Sequence, residues 1–380
     1  VSTGTIGARL DLEALADALT SSSAEPEISW RPVFVRLKPS EFADLTALCK
    51  QHHVTLIDTI DRQVDDLALV REPSKRNSAD FNYIIEGIPA HGERTSYGNW
   101  VYLPWESKIV HLLARDDYFD VITNRNQDKI TREEQQELRT RRIGVIGLSV
   151  GGEAAVTIAQ EHLCGAIVLA DFDQLDLSNL NRLNAGFDEL GQPKSKIIAR
   201  RIAKINPYLD ITIWEDGVTT ASLDEFLDDL DLVIEECDGL QIKRDVRLLA
   251  KKRGVNIVYA ADERGFLSVE PYQYCPDLLP FHGRVEHPQP SREDFPTPVA
   301  FMKALSLWMG GWENLSDRTR FSLERVGDTL CGYPQLASEA RYAAGQIGQV
   351  VRRLLLGERL PPFVGNLDLA DLVPSTIISL

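Results

Sequence analysis

The chain has 380 residues, 43% of them hydrophobic, enough to bury a large core in two units or in one domain with sizeable additions. A net charge of −16 and a pI near 5.0 exclude a mainly electrostatic nucleic-acid binder, which needs a continuous basic surface, so any anion bound here must be held by local cations. No apolar run reaches transmembrane length and the first residues, Val1-Ser-Thr-Gly-Thr, lack the order of a signal peptide, so the expected location is the cytoplasm, with no membrane and no nucleic-acid partner.

Residues 1–120 read as a small α/β accessory unit. An amphipathic helix over Leu10–Leu19 leads through a Ser-rich link to a strand at Val33–Leu37. A helix capped by Ser40, a strand at Val54–Ile57 and a helix opened by Asp61 follow. A polar stretch, Arg71 to Asp80, separates these from an aromatic segment, Tyr97 to Trp105, and from Lys108-Ile-Val-His111. Substrate recognition or dimerisation is the expected role of this unit.

From about residue 131 the rhythm is regular. Thr131 with Glu134 three residues on is a capping box, and the helix it opens delivers the chain into a strand at 142–147. Helices at 152–163, 194–206, 222–229 and 241–253 then alternate with strands at 166–171, 210–215, 231–236 and 255–260. The fold class is therefore α/β, a Rossmann-like, mostly parallel sheet with helices on both faces. Residues 265–298 read as Pro-rich and irregular, and the C-terminal portion as helical, its last helix running from Leu336 to Leu356 before Gly357. The expected divisions are 1–120, 121–275 and 276–380, the last an extension of the central domain.

The first strand runs into Gly147-Leu-Ser149-Val-Gly151-Gly152. Gly147 and Gly152 take the first and third places of a dinucleotide-binding turn, but Ser149 stands where a second glycine lets a pyrophosphate reach the backbone. The helix N-terminus beyond it still offers N–H groups to a phosphate. Asp171 ends the next strand, at the distance suited to a ribose hydroxyl. Asp173 and Asp176 follow, then Ser178-Asn179-Leu-Asn-Arg182 and Gly191-Gln-Pro-Lys194. An enzyme that brings a carboxylate up to ATP must offset like-charge repulsion, and Arg182 and Lys194 suit that task, with Lys196 as a competitor for Lys194. Asp238, just past the acidic strand end Glu235-Glu236-Cys237, suits Mg²⁺, with helix capping as the alternative; Asp262 is a second-rank candidate by the same argument.

The five cysteines (49, 164, 237, 275 and 331) are scattered without a Cys-x-x-Cys pair, so no disulfide framework and no zinc site is expected. Cys237 reads as strand-end packing, and Cys275 as structural, with a thiol nucleophile the alternative. His111 and His282 read as core or hydrogen-bonded histidines, and Trp308-Met-Gly-Gly-Trp312 as packing.

Taken together, the glycine turn, Asp171 and Asp173, Ser178-Asn179-Leu180-Asn181-Arg182, Gly191-Gln-Pro-Lys194, Asn206-Pro207 and Asp238 resemble the ThiF/MoeB/HesA family, the adenylyltransferases related to ubiquitin-activating enzymes, over about residues 120–270. The resemblance implies that Asp171 holds the ribose, that Asn179, Arg182 and Lys194 hold the phosphates, and that Asp238 holds Mg²⁺. Gly147, Ser149, Gly151, Gly152 and Asp173 complete the ATP site. The family uses an arginine from the partner subunit, and Arg125 fits that place, which implies a homodimer. The whole chain resembles most the bacterial proteins in which such a domain precedes a nitroreductase-like domain, which these 380 residues do not include. The implied activity is adenylation of the carboxylate of a small peptide, small molecule or natural-product precursor with loss of pyrophosphate. Family members also activate ubiquitin-like or sulfur-carrier proteins. The competing readings are an NAD(P)- or FAD-binding oxidoreductase and a non-catalytic scaffold.

Overall fold

The computed structural model describes residues 9–21, 29–77, 85–284, 295–307 and 310–373. The described residues form two compact units, one within Gly4–Gln135 with Ala199–Asp210, the other within Gln136–Ile198 and Ile211–Leu380.

Among the described residues the N-terminal unit holds five strands: β1 (Arg9–Leu10), β2 (Val33–Val35), β3 (Thr55–Asp58), β4 (Asn99–Leu103) and β5 (Lys108–Leu112), in the spatial order β1-β2-β4-β5-β3. The aromatic segment is therefore the centre of a sheet. Trp100 and Tyr102 of β4 enter a core with Leu15, Val35, Leu45 and Ile109. His111 is a core histidine: it is fully buried and stacks on Trp100 at 4.0 Å. Its ring nitrogens meet Asp58 at 3.0 Å and the Tyr97 carbonyl at 2.6 Å. At the unit's end the Thr131 capping box forms, Thr131 Oγ1 accepting from the Glu134 amide at 3.2 Å and Glu134 Oε2 from the Thr131 amide at 2.8 Å.

Among the described residues the second unit is built on seven strands. These are β6 (Arg142–Ile146), β7 (Ala166–Ala170), β8 (Asp210–Trp214), β9 (Leu232–Glu235), β10 (Asn256–Ala261), β11 (Phe266–Glu270) and β12 (Phe363–Asn366), ordered β12-β11-β10-β9-β6-β7-β8. Pairs β6–β7, β6–β9 and β9–β10 are parallel, while β10–β11 and β11–β12 are antiparallel. The sheet is covered on both faces, as alternation along β6 shows. Ile146 joins Val168, Val233 and Ile257 in a core shared with Phe226 and Val246, whereas Val145 faces the helix Val150–Glu161. That helix packs in turn on the long helix Ala337–Leu355.

Residues 266–270, expected to be irregular, are a strand with all five residues buried. Arg264 and Gly265, at φ +50° and +61°, turn the chain directly back from β10, and a Cβ at Gly265 would sit 2.5 Å from the Leu367 carbonyl oxygen. Strand β12 lies in the C-terminal portion that the sequence pattern marks as helical. Four residues with two apolar side chains carry no periodicity of their own. Residues 285–294 of the Pro-rich stretch, residues 78–80 of the polar stretch, and Trp308 with Met309 lie outside the described residues.

Candidate active site

The order β9-β6-β7 places β6 where the chain's winding reverses: it proceeds from β6 to β7 and β8, then crosses back to β9 and β10. Ligands of open α/β sheets bind at such a switch, beyond the carboxyl ends of the strands. A cleft of about 830 Å³ lies there, within the range of small-molecule sites.

Its floor is a close junction of three strand ends. Gly147, at φ +83°, lies so near the end of β9 that a Cβ would stand 2.5 Å from the Glu236 carbonyl oxygen, so only glycine is accommodated. The Gly147 amide donates to the Ala170 carbonyl at 2.9 Å, and the Glu236 amide to the Ile146 carbonyl at 2.8 Å. Asp171, 8% exposed, accepts the Leu148 amide on Oδ2 at 2.6 Å and the Asp173 amide on Oδ1 at 2.7 Å. Burial raises its pKa, against the pull of the Asp173 amide, Lys194 and the Leu148 amide.

Asn179, Arg182 and Lys194 line the same cleft. Asn179 Oδ1 accepts the Asp176 amide at 3.0 Å, which fixes the loop that carries Arg182. The Arg182 guanidinium donates through Nη1 to Asn181 Oδ1 at 2.9 Å, while its Nε is buried without a partner. Burial lowers its pKa, with Asp262 and Asp238 opposing. Lys194 begins the helix Lys194–Ile205 and pairs with Asp173 at 2.8 Å. Lys196, its competitor, is bound instead to Glu215 at 2.9 Å and does not line the cleft.

Asp173, Ser149 and the exposed Asp238 also line the cleft. Gly151 and Gly152 do not. They lie in the first turn of the helix Val150–Glu161, where a Cβ would come within 3.1 Å of Val145 and 3.0 Å of Ile198 respectively, so they let the helix approach its neighbours closely. Arg125 belongs to the N-terminal unit, exposed on the turn Asn124–Asn126, and the cleft is lined by its own unit alone. Cys237 lines the cleft, but burial, then Glu235, raises its thiol pKa far above the ordinary value, the wrong direction for a nucleophile. Cys275 is half-buried and not among the lining residues.

A buried ionic network adjoins the cleft and reaches its lining through Lys243. Glu235, Lys243, Arg247 and Glu270 are all buried. Lys243 Nζ reaches Glu235 at 3.0 Å, and Arg247 bridges Glu235 at 2.5 Å and Glu270 at 2.6 Å. Burial would raise the Glu235 pKa, but Lys243 and Arg247 overcome it and hold the carboxyl at about 2. Its Oε1 also accepts the Cys237 amide at 2.9 Å, which braces the turn bearing Asp238. Glu236, by contrast, is pushed well up by burial; its Oε1 accepts the Ala260 amide at 2.8 Å. The available signal was the pairing of a strand ending in two acids with a following helix that carries Lys243 and Arg247 one turn apart.

The far wall is formed by Tyr259, Asp262, Phe301, Met302, Tyr333 and Gln335. Asp262 is 6% exposed, and burial lifts its pKa to about 6, against a Gln335 hydrogen bond. Asn181 Nδ2 donates to the Gln335 carbonyl at 2.7 Å, tying this wall to the loop of Asn179 and Arg182. Among the described residues, no group of three or more His, Cys, Asp or Glu side chains gathers to hold a metal ion, and no helix is long and apolar enough to cross a membrane.

Residues 123–268 match the model described as the ThiF family. An uncharacterized protein of Mycobacterium tuberculosis is 36% identical over 325 residues, 85% of this chain and 44% of that protein. The Bacillus subtilis tRNA threonylcarbamoyladenosine dehydratase is 32% identical over 145 residues, 35% of this chain and 57% of its own. The Escherichia coli sulfur carrier protein ThiS adenylyltransferase is 29% identical over 121 residues, 31% of this chain and 48% of its own. The chain thus spans about half the length of these curated relatives.

Proposed function

We propose, since residues 123–268 match the model described as the ThiF family, that the protein uses ATP to adenylate the carboxylate of a small peptide or small molecule. The carboxylate attacks the α-phosphate, pyrophosphate leaves, and a nucleophile then takes the acyl group from the adenylate. One observation carries this reading: Asp171, Asn179, Arg182, Lys194 and Asp238 line a single cleft at the switch point of the sheet.

Each oxygen of Asp171 takes one backbone amide and keeps a second acceptor position for a ribose hydroxyl. The side-chain amide of Asn179 and the cations of Arg182 and Lys194 donate to phosphate oxygens. Two unit charges about 4 Å apart repel by roughly 1 kcal/mol in water and about 4 kcal/mol at an effective dielectric of 20. Arg182 and Lys194 offset that repulsion as carboxylate and phosphate meet. Asp238 would hold Mg²⁺, which when bound would neutralise phosphate charge. A single carboxylate suffices for an ion whose remaining ligands are phosphate oxygens and water. Arg125, exposed on its turn, is the residue that a second copy contributes in a homodimer.

The test is calorimetric titration with Mg·ATP and, in parallel, NADH, repeated on Asp238→Ala. ATP binding weakened by the substitution supports adenylation; preference for NADH moves the case to an oxidoreductase, and binding of neither to a scaffold. Pyrophosphate release with a panel of carboxylic acids then identifies the substrate.

A further inference from the structure

Asp262 follows β10, three strands from β7 and its Asp171 in the order β10-β9-β6-β7. At about 4.8 Å per strand the two carboxylates stand roughly 14 Å apart across the sheet. With a ribose at Asp171 and phosphates at Arg182 and Lys194, the acyl side of an adenylate points toward Asp262. The following argument rests on that adenylation reading.

Asp262 lines the cleft at 6% exposure, and its Oδ2 has no hydrogen-bond partner. The Tyr333 hydroxyl, in the same wall, also lacks one. The charges of Glu339 and Asp238 act on Asp262 from the same end of the cleft, opposed by Arg182 and by a Gln335 hydrogen bond, and Oδ2 stays open beside them. A buried carboxylate oxygen left open costs free energy until a donor reaches it. A carbonyl or a second carboxylate brings no donor to that oxygen. An ammonium brings three N–H donors and a positive charge.

We propose that this end of the cleft receives a primary ammonium, held by Asp262 Oδ2 and the Tyr333 hydroxyl oxygen, so that the acid being activated, or the acceptor that attacks it, bears an amine.

The probes are two non-hydrolysable adenylate mimics, 5′-O-(glycylsulfamoyl)adenosine and 5′-O-(acetylsulfamoyl)adenosine, which differ only in the amine. Both are titrated by calorimetry in metal-free buffer against the wild-type protein, Asp262→Asn and Tyr333→Phe. If the ammonium belongs to the acid, the glycyl mimic binds about tenfold or more tightly than the acetyl mimic, the range of a charge-assisted hydrogen bond. That gap closes in Asp262→Asn and narrows in Tyr333→Phe. If it belongs to the acceptor, the two mimics bind alike, and n-butylammonium tightens the acetyl mimic in wild type but not in Asp262→Asn. Equal binding with no effect of butylammonium, or a glycyl preference that survives Asp262→Asn, overturns the proposal. A wild-type protein that binds neither mimic nor ATP fails the adenylation reading itself and takes this proposal with it.

Discussion

The Lys194 ammonium lies 2.8 Å from the Asp173 carboxylate, and the lysine is almost wholly buried while Asp173 is half-exposed. Two residues on, Lys196 is committed to Glu215 at 2.9 Å. Only Lys194 therefore presents a cation to the cleft from this helix start. Lys194→Ala is expected to lower pyrophosphate release about 10- to 100-fold, the cost of one charge-assisted hydrogen bond to phosphate. Lys196→Ala should stay within about threefold of wild type, since its partner is a surface carboxylate. Equal losses in both variants would mean that the helix, not the Lys194 cation, matters.

Asp171 joins the glycine turn to the ribose position, because its carboxylate takes the Leu148 and Asp173 amides on separate oxygens. Asp171→Asn keeps the shape but turns an NH₂ toward one of these amide donors. A loss of about 1–3 kcal/mol of stability is expected from the unsatisfied pair, with ATP affinity falling about tenfold or more. Thermal unfolding and calorimetry separate the two effects: unchanged ATP affinity in a correctly folded variant removes Asp171 from the ribose position.

The residues that reach the cleft from strand ends were legible in the sequence because each follows an apolar run at a turn: Asp171 after β7, Asp238 after β9 and Asp262 after β10. Lys194 could be named, but its advantage over Lys196 depends on which way each side chain leaves the first helical turn, and only Glu215, arriving from the end of β8, decides that. The far wall was not legible. Tyr333 and Gln335 come from a segment with no periodic pattern, brought in by the Asn181 bond to the Gln335 carbonyl. Glu235 reads in the sequence as an ordinary acid beside Glu236. Its burial follows from β9 lying inside the sheet, and its partners Lys243, Arg247 and Glu270 follow from the later helix and from β11. The pKa directions of Glu235 and Glu236 differ because Lys243 and Arg247 together outweigh burial at Glu235, whereas at Glu236 burial outweighs Lys243 and the Ala260 amide.

His162, at the left-handed end of the helix Val150–Glu161, has its pKa lowered to about 4 by burial and then by Arg139. Its ordinary value is 6.5, so the unfolded chain takes up a proton first as pH falls. Stability should therefore decline between pH 6.5 and 4 by about 1.4 kcal/mol per pH unit from this group. His162→Asn, which tolerates the positive φ, is expected to flatten that part of the curve. Urea unfolding at half-unit pH steps gives the slope, and an unaltered slope assigns the decline elsewhere.

The Glu235 network gives a second, lower window. A carboxyl held at about 2 against an ordinary 4.5 contributes stability that is present above pH 4.5 and lost as pH falls toward 2. At neutral pH the four buried groups balance, Lys243 and Arg247 against Glu235 and Glu270. Glu235→Gln leaves two buried cations facing one carboxylate, and about 3–5 kcal/mol should be lost. Adding Lys243→Met restores a one-to-one pair between Arg247 and Glu270, so the double variant should recover part of that loss although it lacks two polar contacts. If the double variant is instead less stable than Glu235→Gln by the full cost of a core substitution, the penalty comes from lost hydrogen bonds and packing, and charge balance is not what holds this layer together.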